Sequence, residues 1–328
     1  MERNLAAVAV LSAAFMFSPA CVSAKDTFSP SKLPASESKA SLSANAGNNM
    51  PLLRGELDGV PCTLLFDTGA THTTFDINFI KENLPGCTLQ KVYLAGVTNV
   101  EQLPSLTHAG TLKMGEAEFG DFDIMLLDMG HLASSVGAKV DGVLGMNIIG
   151  ATRSTLSLTD GTVAFNLPKE ARKGFKPARR VKWIEDPLTI TLSPEKGSDL
   201  IIDSASTWTF LDHSYEWPLS GEEIAFGARD INGRGEMRPK CGNEGEMRFG
   251  SSAKVTIKPL IVEEPLNRLG ADTLKRYDLL IEPQAVGFKD RSVAPEAQPE
   301  MENTQTPENP VASAPETPAP PATTEAAQ

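Results

Sequence analysis

The sequence predicts an all-β fold built from two related lobes, and three observations carry that expectation. Between residues 50 and 291 the chain is a series of short runs rich in Val, Ile, Leu, Thr and Phe, broken by Gly, Asp-Gly, Asn-Gly and Pro. Such punctuation is that of strands and tight turns. Long helical periodicity is nearly absent, with short helix candidates only at 76–83 and 146–152. The third observation is an internal repeat: Leu65-Phe66-Asp67-Thr68-Gly69-Ala70-Thr71 pairs with Ile201-Ile202-Asp203-Ser204-Ala205-Ser206-Thr207. Leu144-Gly145 then pairs with Leu269-Gly270, and the run from Leu156 to Phe165 with that from Leu279 to Phe288. Matches in the same order at comparable separations mark two copies of one unit.

Bulk properties frame the two lobes. The chain has 328 residues, 41% of them hydrophobic, enough for packed cores. Its net charge of -12 argues against a nucleic-acid partner, because affinity for phosphate backbones rests on clustered Lys and Arg. At the N-terminus an apolar run from Leu5 to Phe17, followed by Val22-Ser23-Ala24, has the pattern of a secretory signal over 1–24. The run is too short to span a bilayer, and no later segment approaches the required length. These features predict an exported chain, periplasmic or secreted; a lipoprotein reading through Cys21 is less favoured, because Ser18-Pro19-Ala20 lacks the usual aliphatic residue.

Residues 25–49, rich in Ser, Ala, Lys and Asn, are expected to form a disordered linker. Residues 292–328, rich in Pro, Glu, Ala and Thr, are expected to be a disordered acidic tail. A basic stretch over 169–180 reads as the linker between a first lobe at 50–168 and a second at 181–291. Removal of the signal leaves Cys62, Cys87 and Cys241; in an oxidising compartment a Cys62–Cys87 disulfide is one open outcome. Neither the cysteines nor the four histidines show metal-ligand spacing, so no metal or cofactor is expected.

The chemistry concentrates at Asp67. Apolar residues bury the strand before it, and the turn thrusts the carboxylate outwards. Gly69 lets the backbone approach and offer an N–H, while the Thr68 hydroxyl can fix the loop. Alone, Asp-Thr-Gly is also an ordinary turn in which Asp bonds its own backbone. A second such loop, facing the first, makes a pair of carboxylates that cannot both ionise and so share a proton. One member then serves as general base on a water, and the other polarises a carbonyl.

With Leu57-Asp58-Gly59-Val60-Pro61, Phe66-Asp67-Thr68-Gly69-Ala70-Thr71 and Asp141-Gly142-Val143-Leu144-Gly145-Met146 in that order, residues 50–168 resemble the retropepsin-like aspartic peptidase family. The duplicated arrangement is similar to the two-lobed pepsin plan. The resemblance implies two β-barrel lobes, an extended peptide or protein substrate, and hydrolysis by an activated water. It gives Asp67 and Asp203 the catalytic places, with Thr68, Gly69 and Ser204 as loop support. Tyr93 and Gly96 fall where the family carries a flap over its substrate, though both also read as ordinary hairpin packing.

The second loop departs from the family: Ala205 stands where Gly is usual, and Arg268 replaces an apolar residue. Three readings stay open at this point. Asp203 completes a dyad within one chain, or two copies of Asp67 meet in a homodimer, or the fold binds extended peptides without cutting them. Gly227, Gly233 and Gly235 lie in a second-lobe stretch whose pattern assigns no element. Ser251-Ser-Ala-Lys254 fits a Ser-x-x-Lys motif, but the same pattern recurs at Ser29, Ser36 and Ser193 and carries no information.

Overall fold

The computed structural model describes residues 9–11, 28–44, 50–91, 105–130, 132–181, 190–223, 226–230, 233–263, 266–283 and 285–292. Tyr93 and Gly96, the acidic tail from 293 and nearly all of the signal segment lie outside the described residues. The chain is all-β, as its composition and turn pattern predict.

The first lobe begins with a hairpin of Pro51–Leu57 and Val60–Phe66. Its turn places Asp58 and Gly59 at φ of 47° and 82°, the left-handed conformation that a two-residue hairpin turn needs and that Asp-Gly supplies cheaply. From Val60–Phe66 the pairing passes in parallel to Gly142–Leu144, and from there to Thr74–Asp76. Thr74–Asp76 runs parallel to the end of Ala117–Leu127, which forms a long hairpin with Ser105–Met114. Ser105–Met114 closes back on Pro51–Leu57, completing a six-stranded barrel. Leu53, Leu64, Phe66, Phe75, Leu112, Phe119, Ile124 and Leu144 fill it without exposed surface. Asp76 caps the Ile77–Asn83 helix by accepting from the Asn78 N–H, and Met146–Ile149 forms the other expected helix.

The second lobe repeats this plan in a looser form. Leu200–Ile202 runs parallel to Arg268–Leu269, and Phe210–Asp212 runs parallel to Leu260–Val262. The registers correspond: Ile201 pairs with Arg268 as Leu65 pairs with Val143, and Phe210 pairs with Leu260 as Thr74 pairs with Met125. The glycine-rich stretch that the sequence leaves unassigned is a hairpin of Phe226–Asp230 and Gly233–Met237. Ala9–Leu11, within the segment read as a signal, pairs in parallel with its first strand.

Beneath both lobes runs one antiparallel sheet whose strands come in the order Lys176–Val181, Ala285–Asp290, Tyr277–Ile281, Ser154–Ser157, Thr162–Phe165 and Ser38–Ala44. The repeat segments of the sequence meet in its centre, with Leu156 opposite Leu279. Two expectations are corrected by this sheet. Residues 28–44 are not a disordered linker, and 169–180 is not a simple connection. Each provides a strand that leaves the shared sheet and enters a lobe: Leu42 to Ala44 pair with Pro51 to Leu53 of the first, and Arg180 and Val181 with Leu192 and Thr191 of the second. The physical reason is visible in Ser38–Ala44, where Ser38, Ala40 and Leu42 are buried and Lys39, Ser41 and Ser43 are exposed. That period of two is a strand signal even when its inward residues are small.

Cys62 and Cys87 are not joined to one another, which closes the question of a Cys62–Cys87 bridge for this structure.

Candidate active site

Each lobe presents one Asp loop, and the local forces are the same in both. Val60–Phe66 is anchored by Leu64, Leu65 and Phe66, all without exposed surface, so the chain emerges at Asp67 in a fixed direction. The Asp67 N–H donates to the Leu144 carbonyl at 3.1 Å, and the Asp203 N–H to the Leu269 carbonyl at 3.0 Å. Oδ1 of Asp67 accepts from the N–H groups of Gly69 and Ala70 at 2.8 and 3.2 Å. Oδ1 of Asp203 accepts from Ala205 and Ser206 at 3.1 and 2.9 Å. Ala205 therefore does not keep its backbone from the carboxylate. Its side chain is taken up in an apolar cluster with Met50, Leu52, Leu65 and Val143 of the first lobe.

The two loops are locked to one another by Thr68 and Ser204. The Thr68 hydroxyl donates to the Ile202 carbonyl at 2.9 Å and accepts from the Ser204 N–H at 3.0 Å. In return, the Ser204 hydroxyl donates to the Phe66 carbonyl at 2.8 Å and accepts from the Thr68 N–H at 3.0 Å. All four bonds are buried, where an unmet partner is costly. Gly69 sits against the opposite loop: a Cβ built on it would lie 2.7 Å from the Asp203 Cγ. Asp67, Asp203, Thr68, Gly69 and Ser204 are thus brought together, and both carboxyls are almost wholly buried.

Behind each loop stands a second support that the sequence reading missed. The Thr73 N–H and hydroxyl both donate to the Asn147 Oδ1, at 2.7 and 2.9 Å, and the Gly145 N–H donates to the Thr73 hydroxyl. In the second lobe Thr209 donates to the Asp272 Oδ1 at 2.8 Å and accepts from the Gly270 N–H. Burial raises the Asp272 carboxyl above its ordinary range, against the opposing bonds from Thr209 and the Thr273 N–H. The repeat register was the signal that would have found this pair, since it sets Thr73 opposite Thr209.

The sequence also flagged Arg268 as out of pattern without giving it a partner. Its place in the repeat is that of Val143, but its Nη1 donates to the Asp203 Oδ2 at 2.6 Å. The side chains of Arg268 and Asp203 are 9% and 0% exposed. The pair matches a buried carboxylate with a buried cation, and breaking such a pair from one side costs about 3–5 kcal/mol. His72, beside the first loop, bonds the Thr71 hydroxyl and packs edge-on against Phe28. Among the described residues no group of three or more His, Cys, Asp or Glu side chains lies together as a metal site.

The geometry is that of facing Asp loops, a strand parallel to the strand before each Asp, and a Gly that ends it. A family model described as aspartyl protease matches residues 53–148. Residues 53–148 form a retropepsin-like aspartic peptidase domain. No curated protein matches the chain. The peptidase domain holds Asp67, Thr68 and Gly69; the match ends before Asp203, so the second lobe is related to it here by register and hydrogen bonding alone. A general aspartic protease function follows from the domain.

Proposed function

We propose that the chain is an exported aspartic endopeptidase in which Asp67 and Asp203 form the catalytic dyad within one molecule. The observation that carries this reading is the reciprocal Thr68–Ser204 lock, which aligns the two Asp loops face to face. Within such a pair one carboxylate takes a proton from water while the other, protonated, donates to the scissile carbonyl. An extended peptide lying between the lobes would bind through backbone hydrogen bonds, with alternate side chains entering pockets. The lock also supports a single-chain site over a homodimer built on two copies of Asp67, because the second lobe already supplies the facing loop. Export rests on the apolar N-terminal run and its small-residue cleavage site.

A second reading has its own observation: the Asp203–Arg268 ion pair, with Ala205 beside it, favours a peptide-binding protein that does not cut. Peptide cleavage by the mature chain, with Asp67→Asn and Asp203→Asn variants beside it, separates these. Loss in both variants supports the intramolecular dyad. Loss in Asp67→Asn alone returns the homodimer, and a parent that binds a statine-type peptide but never cleaves leaves the binding protein.

A further inference from the structure

We infer that Phe28 is a positioning residue for the Asp67 loop, and that the segment from Phe28 to Pro34 is a working strap of the mature chain, to be kept and not trimmed away. The inference rests on the peptidase reading above. The strap is seated on the first lobe along its length. Ser31 donates its N–H to the Asp121 carbonyl at 3.3 Å, and Lys32 exchanges backbone bonds with Gly120 at 3.1 and 3.0 Å. The Asn166 Nδ2 donates to the Pro34 carbonyl at 2.8 Å. At the start of the strap the Phe28 ring packs edge-on against His72, with ring centroids 4.6 Å apart. The Phe28 carbonyl accepts from the Asn147 Nδ2 at 2.8 Å.

Asn147 is the residue through which this contact reaches the site. It is 2% exposed, and its Oδ1 accepts both the N–H and the hydroxyl of Thr73. Its own N–H donates to the Thr71 carbonyl at 3.0 Å, and the neighbouring Met146 N–H to the Ala70 carbonyl at 2.8 Å. Ala70 in turn gives its N–H to the Asp67 Oδ1. An amide side chain has two unlike ends, one that accepts and one that donates. Turned over, Asn147 would set its NH2 against the Thr73 N–H and leave a buried donor unmet, which is costly. The Phe28 carbonyl, an acceptor, holds the donating end on its own side and so fixes the accepting end on Thr73. The surrounding backbone is tightly packed, since a Cβ on Gly145 would lie 2.5 Å from the His72 carbonyl carbon. In the second lobe the counterpart of Asn147 is Asp272, whose carboxyl has two oxygens and no amide to orient.

The test compares the parent with Phe28→Ala, Phe28→Tyr and Asn147→Asp in steady-state peptide cleavage, with thermal midpoints measured on the same samples. Alanine removes the ring that pins the strap to His72, and tyrosine restores it. A carboxylate at 147 still accepts from Thr73 but meets the Phe28 carbonyl with an oxygen in place of an N–H. Phe28→Ala and Asn147→Asp are each expected to lose about tenfold in kcat with KM within about twofold of the parent, because a displaced loop misplaces the reacting group without touching the substrate. Phe28→Tyr is expected to keep kcat within about twofold. Phe28 is half-buried, so its truncation leaves the barrel core in place. Glu282→Gln, which takes a carboxylate from Arg153 and Arg172, is the control for lost stability alone. A kcat in Phe28→Ala within about twofold of the parent's would overturn the proposal; so would a raised KM at unchanged kcat, which would put the strap at the substrate instead. A loss in Phe28→Ala no larger than that of Glu282→Gln at a similar thermal midpoint would reduce the effect to stability and overturn it as well. A parent that cleaves nothing overturns the peptidase reading and this inference together, whereas a cleaving parent indifferent to Phe28 overturns the inference alone.

Discussion

Thr68 and Ser204 each hold the other's loop. Every polar atom of the two hydroxyls and the two backbone N–H groups in this exchange has its partner across the lobe boundary. Position 68 thus does structural work for both halves of the site at once. Replacement of Thr68 by Val keeps the shape but leaves the Ser204 N–H and the Ile202 carbonyl buried without that hydroxyl. At about 1–3 kcal/mol for each such group, Thr68→Val is expected to lose about 2–6 kcal/mol of unfolding free energy. Urea unfolding of the parent and variant measures it; a loss under about 1 kcal/mol would mean that the loops are held from elsewhere.

Gly69 and Ala205 occupy corresponding places but are not exchangeable. A methyl on Gly69 would meet the Asp203 Cγ at 2.7 Å, closer than real Cβ contacts come, and its two oxygens at a tight 3.0 Å. Asp203 is held by Ala205, Ser206 and Arg268 and has little room to withdraw. Gly69→Ala is therefore expected to reduce cleavage by about a hundredfold or more, since small misplacements of reacting groups have costs of that order. Ala205→Gly, which only removes a methyl from the Met50, Leu52 and Leu65 cluster, is expected to cost about 1 kcal/mol of stability. Parallel cleavage and unfolding assays on the two variants check the asymmetry.

The first Asp loop was legible because its signals are local: an apolar lead-in, a Thr hydroxyl and a Gly, all within a few residues of Asp67. Its partner at Asp203 was legible only through the repeat, whose last matched segments, from Leu156 and from Leu279, turn out to be neighbours in the shared sheet. The role of Arg268 was not, because its contact with Asp203 spans 65 positions and depends on the side chain's direction. The ordering of Ser38–Ala44 escaped for a different reason. Composition judged the segment too poor in large apolar residues, yet Ala40 and Leu42 need only cover one edge of two sheets already formed, with Thr162–Phe165 on one side and Pro51–Leu57 on the other.

The cysteines offer a test of packing that needs no activity. Burial, together with the nearby Asp141 charge, pushes the Cys62 thiol up to about 12. Cys241 is buried as well, while Cys87 is partly exposed. Iodoacetamide at mildly alkaline pH is expected to label Cys87 in the folded protein and to reach Cys62 and Cys241 only after denaturation. Peptide mass spectrometry identifies the labelled sites; rapid native labelling of Cys62 would contradict the closed first barrel.

Glu282 links the shared sheet to two cations from other segments, and its pH behaviour follows from that. Burial opposes its ionisation, but hydrogen bonds from Arg172 and Arg153 outweigh burial and hold the carboxyl below its ordinary range. A carboxyl whose folded value lies below its unfolded value contributes stability above the unfolded value, and that contribution disappears as pH falls through the folded one. Arg172 is largely exposed, so screening reduces its share. Glu282→Gln is accordingly expected to be less stable than the parent by about 1–2 kcal/mol at neutral pH, a partly screened ion pair's worth. The difference should shrink as pH drops below the ordinary carboxyl value of 4.5 and vanish once the parent's Glu282 is protonated. Urea midpoints of both proteins from neutral to acid pH measure this, and a difference that stays constant across the range would show that the Glu282 charge contributes nothing.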